Sequence, residues 1–156
     1  MCSSDLSCFD TISICMSKGL GAPVGSVLVA SEEKIHEARR VRKVLGGGMR
    51  QAGYLAAACH YALDHHLERL HEDHLRAKVL EQAMASLGFV SSVLPVQTNI
   101  VVSNLNPDMP LDRFLSILAE NNILAVAFGK QSVRMVTHLD FNDAMLDETI
   151  RVLQRI

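Results

Sequence analysis

Three cations are placed where they could do chemistry. Lys18 ends the apolar run of ISICMSKGLGAPVG (residues 12–25), and Gly19, Gly21, Pro23 and Gly25 follow it. Lysine is almost never fully buried without a partner. An ammonium aimed from the end of an apolar strand is therefore either paired with an anion or has chemistry to do. In a partly desolvated pocket its pKa falls and it becomes a nucleophilic amine, the group that Schiff-base chemistry requires. In water it is an ordinary turn lysine. Arg134 sits in SVRMVTH (132–138), where strand alternation turns it away from Val133 and Met135. It is either an exposed strand arginine or a bidentate clamp for a carboxylate. Arg50 follows Gly46, Gly47, Gly48 and Met49. The glycines either break a helix or form a turn that brings the guanidinium to an anion, and the residues alone leave the two readings level.

Other patterns point to less. Gly19, Gly21 and Gly25 are spaced GxGxxxG, and Pro23 stands where a helix should open, so they do not match a dinucleotide loop. The glycines before Arg50 lack the Lys-Ser/Thr of a P-loop. His60, His65, His66, His71 and His74 invite a metal reading, but zinc needs three or four converging ligands. Most of these histidines point around an amphipathic helix, so a solvated face is the stronger reading and no metal is expected. Cys2, Cys8, Cys15 and Cys59 form no CxxC pair and are read as free thiols.

Certain elements must position these side chains. Residues 10–17 and 25–30 read as strands joined by a tight Gly/Pro turn, hence as antiparallel neighbours. Ser31 caps a helix with Glu32 and Glu33 in its first turn, and the three glycines stop it. Met49 to Leu87 is helical throughout, as one bent helix or two. Its small apolar start, AGYLAAAC, is expected to be buried, and its second part presents Leu67, Leu70, Leu75, Leu80 and Met84 on one face, with Gly88 as the C-cap. Beyond it come a strand over 98–105, a helix over 110–122, a hairpin of 123–128 with 132–138 around Gly129-Lys130, and a terminal helix over 141–156 capped by Asn142. The subdomain boundary is placed near residues 85–92. Residues 1–6, MCSSDL, fit the start of no element and are expected to be foreign to the protein.

Composition bounds the partners. The chain has 156 residues, 49% of them hydrophobic, enough for one domain or two small ones. Its 15 basic and 17 acidic residues leave a formal charge of −2, which argues against nucleic acid or an anionic membrane as partner. No apolar run approaches the roughly 18 residues of a membrane span, and the first residues show no signal-peptide pattern. A cytoplasmic protein is expected. Aromatic residues are scarce, at 4% with no Trp, so little is available to stack on a cofactor ring.

The stretches SKGLGAPVGS (17–26) and LGGGMRQAG (45–53) carry a resemblance. With them, the chain from Cys8 to its C-terminus resembles the low-specificity L-threonine aldolases, enzymes of the aspartate-aminotransferase-like class that use pyridoxal 5'-phosphate (PLP). The resemblance implies an α/β fold, with the C-terminal part of the PLP-binding large domain over 1–88 and a small α+β domain over 89–156. It implies that Lys18 holds PLP covalently, with Ser17 beside it in the cofactor site. Arg50 matches an arginine near the PLP phosphate, reaching in across a subunit interface. Arg134 matches the arginine that grips the substrate carboxylate, and Lys43 a basic residue close to the bound amino acid. The implied reaction cleaves L-threonine or L-allo-threonine to glycine and acetaldehyde in a homo-oligomer, a dimer or tetramer. The resemblance covers only about the second half of a family member. The alternatives are a non-catalytic fragment or assembly module of such an enzyme, or a related PLP β-eliminating lyase.

Overall fold

The structure, a computed structural model, describes residues 8–156. The expectation for residues 1–6 lies outside them. The chain divides into two compact units, one ending at Glu68 and the other spanning Arg69–Ile156.

In the first unit, β1 (Thr11–Cys15) and β2 (Ser26–Ala30) pair antiparallel, with Thr11 opposite Ala30 and Ile14 opposite Val27. β-branched residues favour the extended ribbon, and the left-handed backbone of Gly21 and Gly25 lets the chain reverse between the strands. Helix α1 (Glu32–Val44) starts on Ser31, whose hydroxyl accepts from the Lys34 amide. It ends in a Schellman arrangement. Gly46, at φ 83°, donates to the Lys43 carbonyl, and the Gly47 amide donates to that of Arg42. Helix α2 (Gly53–His65) follows.

One expectation for this unit is corrected. The small apolar start of α2 is not buried, and Ala62 is the helix's one buried residue. The ribbon also leaves Ile14, Val27, Leu28 and Val29 exposed. The cause is common to both: a two-stranded ribbon has no second layer to cover its faces, and the described residues supply none.

The second unit holds the core. Helix α3 (Leu70–Ala85), β3 (Val90–Val93), β4 (Ile100–Leu105), α4 (Leu111–Glu120), β5 (Val126–Ala127), β6 (Ser132–Val136) and α5 (Asp143–Leu153) follow in order. The sheet runs β3-β4-β6-β5, with every pair antiparallel. Val101, Leu105, Val133 and Met135 point from it into a cluster with Ala77, Leu80 and Met84 of α3, Phe114 and Leu118 of α4, and Leu146 and Val152 of α5. The long helical stretch is thus two helices. Its buried stripe is Asp73, Ala77, Leu80 and Met84, while Leu67 and Leu75 of the expected face are exposed. α3 stops at Ala85 with Ser86 as the cap, before Gly88. Strand β3 has no counterpart in the sequence reading, because VSSV is too short and polar to alternate clearly. Asn142 caps α5 as expected, accepting from the Met145 amide at 3.0 Å.

Polar ties fix the frame. Arg69 grips the buried Asp73 through two hydrogen bonds of 2.9 and 3.3 Å, and the Thr137 hydroxyl donates to the Asp73 carbonyl at 2.7 Å. Glu81 of α3 accepts from the Val96 amide at 2.8 Å and from Lys78 at 2.9 Å. The amide bond and then the lysine hold the Glu81 carboxyl below the usual carboxylate range. A carboxylate lowered in the folded state contributes stability above its unfolded pKa and loses it as pH falls through the folded one. Glu81→Gln is expected to cost about 1 kcal/mol at neutral pH, the worth of one such hydrogen bond. The cost should fade below about pH 4. Urea unfolding of native and variant chains at pH 7 and pH 3 checks this; an equal difference at both pH values refutes it.

Among the described residues, no helix is long and apolar enough to cross a membrane.

Candidate active site

β1 delivers Lys18. Its last residue is Cys15, and the chain then closes a compact loop. The Met16 amide donates to the Gly25 carbonyl, that of Ala22 to Met16, and that of Gly21 to Lys18, at 2.8–3.0 Å. Met16, Leu20 and Ala22 are buried beneath the loop, and Ser17 and Lys18 stand outward. The Lys18 amine makes no hydrogen bond or ion pair with the described residues. Of the two readings of Lys18, the described residues show the exposed turn lysine. Next to it, the Cys15 thiol lies 3.4 Å from the Ser17 hydroxyl, which draws the thiol pKa down, with Lys18 a minor contributor.

Lys43, in the last turn of α1, and Arg50, just past the glycine turn, are the other two site candidates of this unit. A Cβ on Gly48 would lie 2.5 Å from Lys43 Cδ, and one on Gly47 would lie 3.0 Å from Arg42 Cγ. The glycines therefore leave room for the stems of Arg42 and Lys43 to lie back along the turn. Arg50 is exposed just beyond, beside Gln51 at φ 52°. Neither Lys43 nor Arg50 has an anionic partner among the described residues.

In the second unit, Arg134 lies in β6 with Val102 and Val126 as its cross-strand partners. Val133 and Met135 are buried on the helix side, so the expected alternation holds. Arg134 is half-buried, its guanidinium carbon 6.0 Å from the centre of the Phe128 ring. Its Nε is buried and has no hydrogen-bond partner. A guanidinium that is partly desolvated, stacked and unpaired is set up to receive an anion, and its planar fork suits a carboxylate. A cavity of about 510 Å³ opens in this unit between α3, β6, α5 and the segment after α4, but Arg134 is not part of its lining.

The site residues thus fall into separate groups: Ser17 with Lys18, Lys43 with Arg50 about the glycine turn, and Arg134 in the other unit. The sequence reading missed Phe128 under Arg134, and it missed His66. His66 was read as part of a solvated histidine face, but it is half-buried and its Nδ1 lies 2.6 Å from the Leu20 carbonyl. Its place just past the last turn of α2 was the available signal.

The fold is α/β, of the kind found in PLP-dependent transferases. The chain superposes on a candidate L-allo-threonine aldolase of Listeria monocytogenes EGD-E with a TM-score of 0.74 at 17% identity, covering 96% of this chain and 45% of that one. A PLP-dependent aminotransferase of Streptococcus suis 89-1591 gives a TM-score of 0.70 at 19% identity, over 93% and 41%. Residues 2–106 match the model of the beta-eliminating lyase family, and the chain belongs to that family. Within it the chain is 38% identical over 149 residues to low-specificity L-threonine aldolase 1 of Arabidopsis thaliana, covering 94% of this chain and 42% of that protein. It is 39% identical over 139 residues to the low-specificity L-threonine aldolase of Escherichia coli K12, over 89% and 40%. The chain therefore spans about two fifths of the length of these relatives.

Proposed function

We propose that this chain is the lysine- and arginine-bearing part of a PLP-dependent aldehyde-lyase that cleaves L-threonine or L-allo-threonine to glycine and acetaldehyde. The observation that carries the reading is Arg134, a half-buried guanidinium whose Nε has no partner. It has the chemistry to hold an amino acid by its carboxylate.

The donor set suits PLP. Lys18 offers a free amine on a loop of small residues, and that amine would hold the aldehyde carbon covalently. Ser17 stands beside it, and Arg50 and Lys43 supply positive charge suited to a phosphate and a bound amino acid. PLP, when bound, supplies the electron sink for the bond broken at the substrate α-carbon. Arg134 fixes the orientation of the substrate by its carboxylate, and orientation of this kind accounts for a large part of such rate enhancements. On this reading residues 1–88 belong to the end of the large domain and 89–156 form the small domain. The active assembly is a cytoplasmic homo-oligomer, a dimer or tetramer, whose partner is a small amino acid.

The exposed apolar faces of β1 and β2 favour a second reading, in which the chain by itself is a non-catalytic assembly module. One experiment separates the two. The purified chain is incubated with PLP, glycine is added, and absorbance is followed. The same is done after mixing with the N-terminal portion of a threonine aldolase that this chain does not span. A PLP absorbance that shifts with glycine, together with acetaldehyde release from threonine in the mixture, is expected. A spectrum of free PLP under both conditions, with no acetaldehyde, leaves the assembly module.

A further inference from the structure

We infer that His66 is a positioning residue for Lys18: its ring clamps the loop that carries the lysine to helix α2. The inference rests on the reading of Lys18 as the PLP-holding amine. Lys18 sits between β1 and the buried Leu20, in a loop closed by the hydrogen bond from the Gly21 amide to the Lys18 carbonyl. That bond and its neighbours are local, running between residues 16 and 25. The long-range polar tie comes from 46 residues away, where His66 Nδ1 meets the Leu20 carbonyl at 2.6 Å. A carbonyl can only accept, so the hydrogen lies on Nδ1 and the ring is held as that tautomer.

The helix is shaped for this contact. Cys59, Ala62 and His66 recur at the three- and four-residue spacing that places side chains on one helix face. Cys59 Sγ reaches toward the Val24 carbonyl at 3.9 Å, and Ala62 is buried. The Tyr61 and His66 rings lie near-perpendicular, at 87°, with their centres 5.6 Å apart. Only Gly19 separates Lys18 from Leu20, whose carbonyl is clamped, and the Lys18 carbonyl is tied to the next amide along, that of Gly21. Holding Leu20 therefore holds the direction in which the Lys18 side chain leaves the backbone. A reactive amine gains little from chemistry aimed in many directions, and a fixed exit vector is what orientation requires.

The test uses the 156-residue chain with His66→Leu, which fills the space but removes the donor, and His66→Asn, whose amide can present an N–H at a similar reach. Two quantities are read. The first is tryptic cleavage after Lys18, normalised to cleavage after Lys78 in the other unit, which needs no cofactor. The second is PLP capture at Lys18, measured by borohydride reduction and peptide mass across a PLP titration. Loss of one hydrogen bond corresponds to roughly a fivefold change. His66→Leu is expected to speed cleavage at Lys18 and raise the PLP concentration for half-capture by about that factor, and His66→Asn to return both to near the native values. Equal cleavage and capture in all three chains overturns the inference, and so does an Asn variant as impaired as the Leu variant. If the Leu variant does not fold, nitrogen chemical shifts of His66 in the native chain decide: hydrogen on Nδ1 supports the clamp, and hydrogen on Nε2 alone overturns it. PLP captured equally by a Lys18→Ala chain would instead sink the reading of Lys18, whatever the cleavage pattern shows.

Discussion

Lys18→Ala is expected to eliminate PLP capture at residue 18 and to leave the rest of the chain folded. Alanine retains the strand end and loop but removes the only atom at this position that can bond to an aldehyde carbon. The loop's hydrogen bonds run through backbone atoms and through the side chains of Cys15, Ser17, Cys59 and His66, so the substitution takes away none of them. Lys18→Arg keeps the charge but offers a guanidinium that stays protonated, and it should fail equally. The measurement is the mass of the peptide spanning residue 18 after borohydride reduction with PLP. Exposed lysines such as Lys78 provide the background level within the same digest. A reduced adduct of undiminished yield elsewhere in the alanine chain would remove Lys18 from the site.

Arg134→Met is expected to weaken amino-acid binding by roughly 10- to 100-fold, the range spanned by a charge-assisted hydrogen-bonded pair. Methionine preserves an unbranched stem against the Phe128 ring while deleting the fork. No ion pair within the described residues is broken by the change, and the unpartnered Nε is removed with the side chain. Thermal stability should therefore hold, which separates this variant from a core substitution. Arg134→Lys keeps the charge but presents a single ammonium where two parallel bonds are required, so its recovery should be partial. The readout is the glycine concentration that half-saturates the absorbance change of the PLP-loaded mixture, with PLP capture at Lys18 as the internal control. An unchanged glycine dependence would make Arg134 a strand residue stacked on Phe128 and nothing more.

Much of the architecture was legible because its signals are local. Ser31 and Asn142 cap the helices they precede, as short side chains that satisfy free amides do wherever they occur. Gly46 and Gly129 adopt left-handed backbone where the chain must turn, a conformation that costs glycine little. Alternation in SVRMV set Arg134 opposite the core residues, because the two-residue period of a strand is geometric. The buried helix face was misread where burial depended on what packs against it. Leu75 is apolar yet exposed, while Asp73 is acidic yet buried, because Arg69 pairs with its carboxylate and Thr137 binds its carbonyl. Pairings of that sort leave no periodic trace in a single sequence.

The same division applies to the site. By itself the sequence determined which side chains can do the chemistry: an amine after an apolar strand, a guanidinium on a strand face, and cations about a glycine turn. Residue type and covalent spacing are enough for that. Only the tertiary structure decided which of these groups is unpaired, that Lys18 stands exposed, that Arg134 Nε is buried without a partner, and that His66 reaches back 46 residues to Leu20. The physical reason is that solvation and hydrogen-bond partnership belong to the space around a side chain. Folding fills that space with atoms from distant parts of the chain.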